Sequence, residues 1–359
     1  MTESVSGPMA VWFCAEEWEL GLIEELQSHF PGKTFSRLSS GVVGSVDFHP
    51  TRPGAEIFTR FFLPEVHLVS AASHKDTLKH LGPLVDAVLD PSAEPWTTHF
   101  STPGVFTLDG EEYKSASARA CLLSDLFLER MRSFRRRTME RHIEEKAFRR
   151  GLVVQVWVLG REHLLVAVTR KNRGKGSTAE PLFSHPAHRV PVDPNAPCRS
   201  YYKLEEALRV SGSGPRPGEN CVDLGAAPGG WTWAALKRGA RVIAVDAADL
   251  AEHVAAHPKC DHRRENGFSY LPPHPVDWMF CDMITKPLAA LGLLERWLEA
   301  RACKHFVVNI KFRGREPGSF LTEVERLKTT FELTGLKIRH LYYDRSEITL
   351  IHAPERGSR

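Results

Sequence analysis

The stretch Cys221-Val222-Asp223-Leu224-Gly225-Ala226-Ala227-Pro228-Gly229-Gly230-Trp231-Thr232-Trp233 constrains this chain more than any other. A short apolar run breaks into a loop of glycine and proline, then resumes as a helix-forming segment. Strand, tight turn and helix in that order is how open α/β sheets build nucleotide sites, with the ligand beyond the carboxyl end of the strand. The dinucleotide fingerprint spaces its glycines G-x-G-x-x-G, whereas here they fall at 225, 229 and 230. The loop therefore predicts a ligand other than a dinucleotide.

From residue 199 onward, apolar runs alternate with helical periods, which predicts a mostly parallel α/β sheet. Strands are expected at 219–224, 241–246, 276–281, 304–309, 337–343 and 347–352, with a weaker one near 260–264. Helices are expected near 201–210, 230–238, 286–300 and 319–334. Only Asp344, Arg345 and Ser346 separate the last two strands. That is too short for a parallel crossover, so the final strand should run antiparallel.

The 359 residues leave room for about two domains. Residues 171–198 hold seven prolines and glycines and read as a linker between 1–170 and 199–359. Ahead of it, residues 8–70 alternate strands with one helix and could form a small α+β unit of their own. Residues 95–169 read as a strand, a long helix over Ser115–Arg150 and two more strands. Net charge is only +3, so any nucleic-acid binding would rest on local patches. One such patch is Arg130, Arg132, Arg135, Arg136, Arg137, Arg141, Lys146, Arg149 and Arg150, which four acids only partly offset. With the tract Arg170–Gly176 it is either a solvated face or a phosphate-tracking surface. The seven cysteines are scattered, which predicts reduced thiols in a cytoplasmic protein and no metal site. No run approaches the roughly 20 apolar residues of a membrane span, and no signal peptide is visible.

In a sheet of this kind, ligands gather at the carboxyl ends of the parallel strands. Gly225 follows the first strand and Asp246 closes the second. Asn266-Gly267 follows the weak third, Asp282 follows the fourth, and Lys311 lies just beyond the fifth. An antiparallel last strand brings Glu347 to the same rim. A carboxylate at Asp246 can accept both hydroxyls of a ribose. Asn266 is either an adenine contact or a turn residue. Asp282 and Lys311 each follow an apolar run, and a lysine beside a carboxylate in a partly dry cleft suits proton removal from an alcohol.

With Lys203 added, the set Lys203, Asp282, Lys311 and Glu347 resembles the Lys-Asp-Lys-Glu tetrad of ribose 2′-O-methyltransferases of the FtsJ class. The blocks CRSYYKLEE (198–206), DLGAAPGGW, CDM, NIK and SEIT recur in that order across about 199–352. Among those enzymes the chain is most similar to the RlmM family, which methylates large-subunit ribosomal RNA and carries an RNA-binding THUMP module ahead of its catalytic domain. Over 1–170 the likeness rests on element order and basic character. The resemblance implies a Rossmann-like methyltransferase domain that binds S-adenosyl-L-methionine through Ser200, Gly225, Ala227, Pro228, Gly229, Gly230, Asp246, Asn266 and Asp282. It implies Lys311 as proton acceptor, a cytidine of large-subunit ribosomal RNA as target, action before full ribosome assembly, and favours a monomer. Two departures are mild: Ala227 stands where the family can carry Cys, and Asn266 where it can carry Asp.

The glycine spacing disfavours a dehydrogenase. An amino-group methyltransferase would carry Asn or Asp followed by Pro-Pro-Tyr or Pro-Pro-Phe where this chain has Cys281-Asp282-Met283. Cys281 could serve as the thiol nucleophile of a cytosine C5 methyltransferase, but the end of an apolar strand suits a buried structural thiol. Further alternatives are a non-catalytic RNA-binding or ribosome-assembly protein on a methyltransferase fold, and 2′-O-methylation of another RNA.

Overall fold

The computed structural model describes residues 5–50, 56–103, 111–171, 190–312 and 318–353, with the backbone alone for 111–116 and 318–319. The chain divides into two compact units, 1–188 and 189–359.

The first unit is built on one sheet of seven strands in the order β2-β3-β1-β4-β7-β6-β5. These are β1 (Met9–Phe13), β2 (Ser36–Ser39), β3 (Val42–Ser45), β4 (Phe61–Ser70), β5 (Trp96–Ser101), β6 (Gly151–Val158) and β7 (His163–Lys171). Only β5 and β6 pair in parallel. The expectation of a separate small unit over 8–70 is corrected by β4. Its first part pairs with β1 and its last four residues pair with β7, so one strand joins both halves of the sheet. Helix α1 (Glu19–His29) follows β1, and α2 (His74–Leu89) opens on Ser73, whose Oγ accepts the Asp76 N–H at 3.1 Å. Leu81, Val85 and Leu89 of α2 share an apolar core with Leu123, Phe127 and Met131 of α3 (Glu111–Phe134) and with Val154 and Val156 of β6.

The long helix expected over Ser115–Arg150 stops at Phe134, followed by one turn, α4 (Arg136–Met139). Arg135 leaves helical geometry at φ −133°, ψ 51°. Beyond α4 the backbone is claimed by the edge of β5: Trp96 N–H donates to Arg141 O at 3.1 Å, and Ile143 N–H donates to Trp96 O at 2.8 Å. Arg141 is structural, its guanidinium donating to Leu89 O and Glu94 O at 3.0 Å each. Arg135 is paired with Asp86. Arg130, Arg132, Arg136, Arg137, Lys146, Arg149 and Arg150 are exposed. Of the basic tract 170–176, Arg170 pairs with Glu94 and Lys171 lies over the Phe148 ring, while 172–176 fall outside the described residues.

The second unit holds α5 (Tyr201–Ser211), β8 (Asn220–Leu224), α6 (Gly230–Leu236), β9 (Arg241–Val245), α7 (Glu252–Ala255), β10 (Cys260–Arg263), β11 (Val276–Cys281), α8 (Pro287–Glu299), β12 (Cys303–Lys311), α9 (Gly318–Thr330), β13 (Lys337–Arg339) and β14 (Glu347–His352). Sheet order is β10-β9-β8-β11-β12-β14-β13, parallel through β12 and antiparallel at β14 and β13. The weak strand near 260–264 exists as β10, and the strand expected over 337–343 is confined to three residues. Of the expected linker, 172–189 fall outside the described residues, and 190–198 pack on this unit. Val190 joins its core, while Asp193 accepts from Trp233 Nε1 at 3.1 Å and Lys237 Nζ at 2.6 Å.

Strand alternation sorts the buried side chains onto two faces. Val222, Leu224, Met279, Cys281, Phe306, Val308 and Ile310 meet α8 and α9 on one face. Cys221, Trp278, Phe280, Val307 and Ile351 meet α5 and α6 on the other. The strand order reverses between β8 and β11, the place where open α/β sheets leave a crevice at their carboxyl ends.

Candidate methyl-transfer site

The glycine loop leaves β8 at Gly225, whose φ of +75° only glycine adopts without strain. A Cβ there would stand 2.5 Å from Met283 Cγ, so the loop after β11 also requires the missing side chain. Gly229, at φ +109°, sits against Val254 of α7, where a Cβ would come within 2.9 Å. Gly230 opens α6 and a Cβ on it would lie 2.6 Å from Ser200 Oγ. Ser200 is thus seated on the start of α6, and Trp231 Nε1 donates to its carbonyl at 2.8 Å.

Asp246 follows β9 and is tied to this loop through one oxygen and to its own turn through the other. Ala227 N–H donates to Oδ2 at 3.0 Å and Ala248 N–H to Oδ1 at 2.9 Å. Pro228 O accepts from Ala251 N–H at 2.9 Å, which holds the outer edge of the loop to the entry of α7. Asn266 is exposed after β10, and its Oδ1 accepts the Phe268 N–H at 2.9 Å in a local turn. A turn is one of the two roles open to Asn266, and its Nδ2 is a donor suited to a ring nitrogen of adenine. These residues fit S-adenosyl-L-methionine: an anchored carboxylate for ribose hydroxyls, an amide beyond it, and acidic side chains for a cationic group.

The four charged residues of the sequence pattern converge. Lys311 and Glu347 are direct register partners across β12 and β14. Lys203, on the first turn of α5, donates to Glu347 Oε1 at 3.0 Å and lies 3.6 Å from Asp282 Oδ1. Lys311 Nζ donates to Asp282 O at 2.7 Å and contacts Asp282 Oδ1. Asp282 therefore stands between the two lysine side chains. Lys311 is the last residue of β12 and not beyond it. Burial works to lower the Lys203 pKa, but the carboxylates of Asp282, Asp344 and Glu347 outweigh it and hold the ammonium above its ordinary value. Lys203 is accordingly a standing cation at neutral pH.

Sequence reasoning missed a buried polar layer beneath the tetrad. Asp344 accepts from Asn309 Nδ2 at 2.9 Å, Thr349 Oγ1 at 2.9 Å and Leu341 N–H at 3.0 Å. Its carboxyl is pushed up to about 7, chiefly by burial, with Lys203 acting in the opposite direction. Asp223, in β8, accepts from Thr232 Oγ1 at 2.7 Å and is likewise pushed up to about 7 by burial. Glu206 of α5 takes Tyr342 N–H at 2.8 Å and Tyr343 N–H at 3.1 Å, which fixes the turn leading to β14. The available signal was parity. Asp223 and Gly225, Phe280 and Asp282, Asn309 and Lys311, Thr349 and Glu347 are each two apart, hence on the face that α5 covers. Cys281 points to the opposite face, fully buried, with its thiol pushed up to about 12 by burial, so it offers no thiolate for nucleophilic attack.

Comparison with known proteins converges on the same unit. Residues 196–345 match the FtsJ-like methyltransferase family. Ribosomal RNA large subunit methyltransferase M of Laribacter hongkongensis is 38% identical over 197 residues, covering 50% of this chain and 55% of that protein. The protein of that name from Alkalilimnicola ehrlichii is 37% identical over 231 residues, covering 61% of this chain and 63% of that protein. That from Halorhodospira halophila is 39% identical over 176 residues, covering 48% and 51%. The matches thus span about half to just under two thirds of these relatives. The crevice, the acid-lysine cluster and the family match coincide in one place, and residues 196–345 of the carboxyl-terminal unit are similar to the FtsJ-like methyltransferase family.

Proposed function

We propose that this protein is an S-adenosyl-L-methionine-dependent ribose 2′-O-methyltransferase acting on a cytidine of large-subunit ribosomal RNA. The observation that carries the reading is Asp282 held between Lys203 and Lys311 at the mouth of the glycine loop. The named relatives support the RNA class. The 1–170 region, with its exposed arginines, would serve as a THUMP-like RNA-binding module ahead of the catalytic domain at 199–359, in a cytoplasmic enzyme. Among the described residues no helix is long and apolar enough to cross a membrane.

Bound S-adenosyl-L-methionine supplies an activated methyl group on a sulfonium. Asp246 would hold the ribose hydroxyls of that ligand, with Ser200, Ala227, Pro228, Gly229 and Gly230 closing around it and Asn266 at its adenine. The chain's own part of the chemistry is to orient the target and accept a proton. Lys311 acts as the neutral amine and takes the proton of the 2′ hydroxyl as its oxygen attacks. Lys203, kept protonated by Asp282, Asp344 and Glu347, stabilises the developing alkoxide. Asp282 fixes both amines, and Glu347 fixes Lys203.

The test is Lys311→Ala. Transfer to ribosomal RNA should fall by at least about 100-fold, the scale of a lost general base, while cofactor affinity stays within about twofold. Turnover near the parental rate would remove Lys311 from the role. Mapping 2′-O-methyl groups across ribosomal RNA with and without the protein identifies the nucleotide; a non-catalytic assembly protein would leave that map unchanged.

A further inference from the structure

The segment joining β11 to α8, Asp282-Met283-Ile284-Thr285-Lys286-Pro287-Leu288, carries groups that neither the cofactor cradle nor the tetrad uses. Ile284 is 90% exposed and Leu288 is 59% exposed. A single exposed aliphatic residue is ordinary, so position decides its meaning. Ile284 stands two residues beyond Asp282, the carboxylate that both lysines share. The other end of the segment is fixed, because Lys286 is extended at φ −68°, ψ 144° and Pro287 starts α8.

Three exposed cations lie within four residues of tetrad positions. Lys286 follows Asp282 by four residues, Arg199 precedes Lys203 by four, and Arg345 precedes Glu347 by two, its backbone N–H donating to Glu347 Oε2. Among the described residues, none of these three cations lies within ion-pair distance of a carboxylate, whereas Lys203 and Lys311 both do. Unpaired cations beside an apolar side chain match a nucleic-acid strand, with phosphates for the charges and a base step for the isoleucine.

The tetrad side chains are only 12–21% exposed. The 2′-hydroxyls of an A-form helix lie on its wide, shallow minor groove, so bringing one to amines this far covered presses the flanking backbones against the rim. Extruding the target nucleotide relieves that clash, and the gap left in the stack costs a few kcal/mol unless something fills it. We propose that Ile284 is the wedge that enters the place vacated by the target nucleotide, while Lys286, Arg199 and Arg345 hold the flanking phosphates. The proposal rests on the RNA ribose methyl-transfer reading and adds the form of the substrate: a nucleotide extruded from a strand, neither a free nucleotide nor one left in its helix.

The test uses the full chain and a ribosomal RNA fragment carrying the mapped nucleotide, prepared with that nucleotide paired and with a mismatch opposite it. Ile284→Ser should lower kcat/KM about tenfold on the paired fragment and less than about threefold on the mismatched one, because a mismatched base costs least to extrude. Ile284→Leu should restore the paired rate. A 2-aminopurine next to the target should brighten on binding the parental protein and stay dim with Ile284→Ser, a readout independent of turnover. Lys286→Gln and Arg345→Gln should each reduce the slope of log K against log salt by about 0.7. Equal losses on both fragments, or no loss on either, would overturn the wedge. Absence of methylation by the parental protein on both fragments would overturn the activity reading beneath it, and the wedge with it.

Discussion

The two faces of the carboxyl-terminal sheet are made by the same strands and serve opposite ends. The face under α8 and α9 is aliphatic and aromatic throughout, with Leu294, Phe306, Val308 and Ile310 almost wholly removed from water. The face under α5 and α6 begins the same way with Trp278 and Phe280, then turns polar toward the rim through Asp223, Asn309, Thr349 and Asp344. Burying those groups opposes folding unless each finds a partner. What the polar face gains is a rigid floor beneath Lys203, Asp282, Lys311 and Glu347. One face supplies cohesion and the other supplies placement.

Substitutions on each face should separate those contributions. Leu294→Ala, on the apolar face, should cost about 3 kcal/mol in urea unfolding, while the folded fraction keeps its cofactor affinity. An affinity loss as large as the stability loss would break the division. Asp344→Ala should cost less, about 2 kcal/mol, because it leaves buried donors of Asn309, Thr349 and Leu341 without their acceptor. It should nevertheless lower turnover at least tenfold as the start of β14 and Glu347 lose their support. Asp223→Asn should have its smallest effect near pH 4, and that effect should grow with pH. Burial first, opposed by Thr232 and aided by Asp282 and Asp246, raises the Asp223 pKa from 3.8 to about 7. The folded chain retains a proton that the unfolded chain has released, so this group lowers stability as pH rises between those values and no further above them. The Asn variant should lose that slope, gaining on the parent from pH 4 to pH 8 in paired urea melts. A difference constant across that range would show that the Asp223 carboxyl does not titrate there.

Much of the second unit was legible because strand, Gly loop and helix leave strong local signals. The rim residues at 225, 246, 282, 311 and 347 could be placed by reading the end of each apolar run. The tetrad followed once Lys203 joined them. Parity could have shown Asp223, Asn309 and Thr349, but Asp344 was not legible: it looks like a turn residue, and its three donors come from positions 309, 341 and 349. In the first unit, β2 leaves little sequence signal because Ser36–Ser39 is a polar edge strand with little alternation. The overextended helix has a different cause. Residues 135–150 are rich in Arg and Glu, good helix formers, yet the backbone at Arg141 and Ile143 is taken by hydrogen bonds to Trp96, some forty residues earlier in the chain. Local propensity lost to a distant strand edge.

The ten residues of β4 have a consequence for how the first unit comes apart. Phe61–Val66 complete the ladder with β1, and His67–Ser70 complete the ladder with β7. Two sets of backbone bonds that would be free to open separately are threaded on one continuous strand. Loosening either set strains the other through the same backbone, so neither half has an independent low-energy opening. Amide protons on both sides of β4 are thereby released in one cooperative event, and residues 61–70 provide no soft seam for a protease to enter.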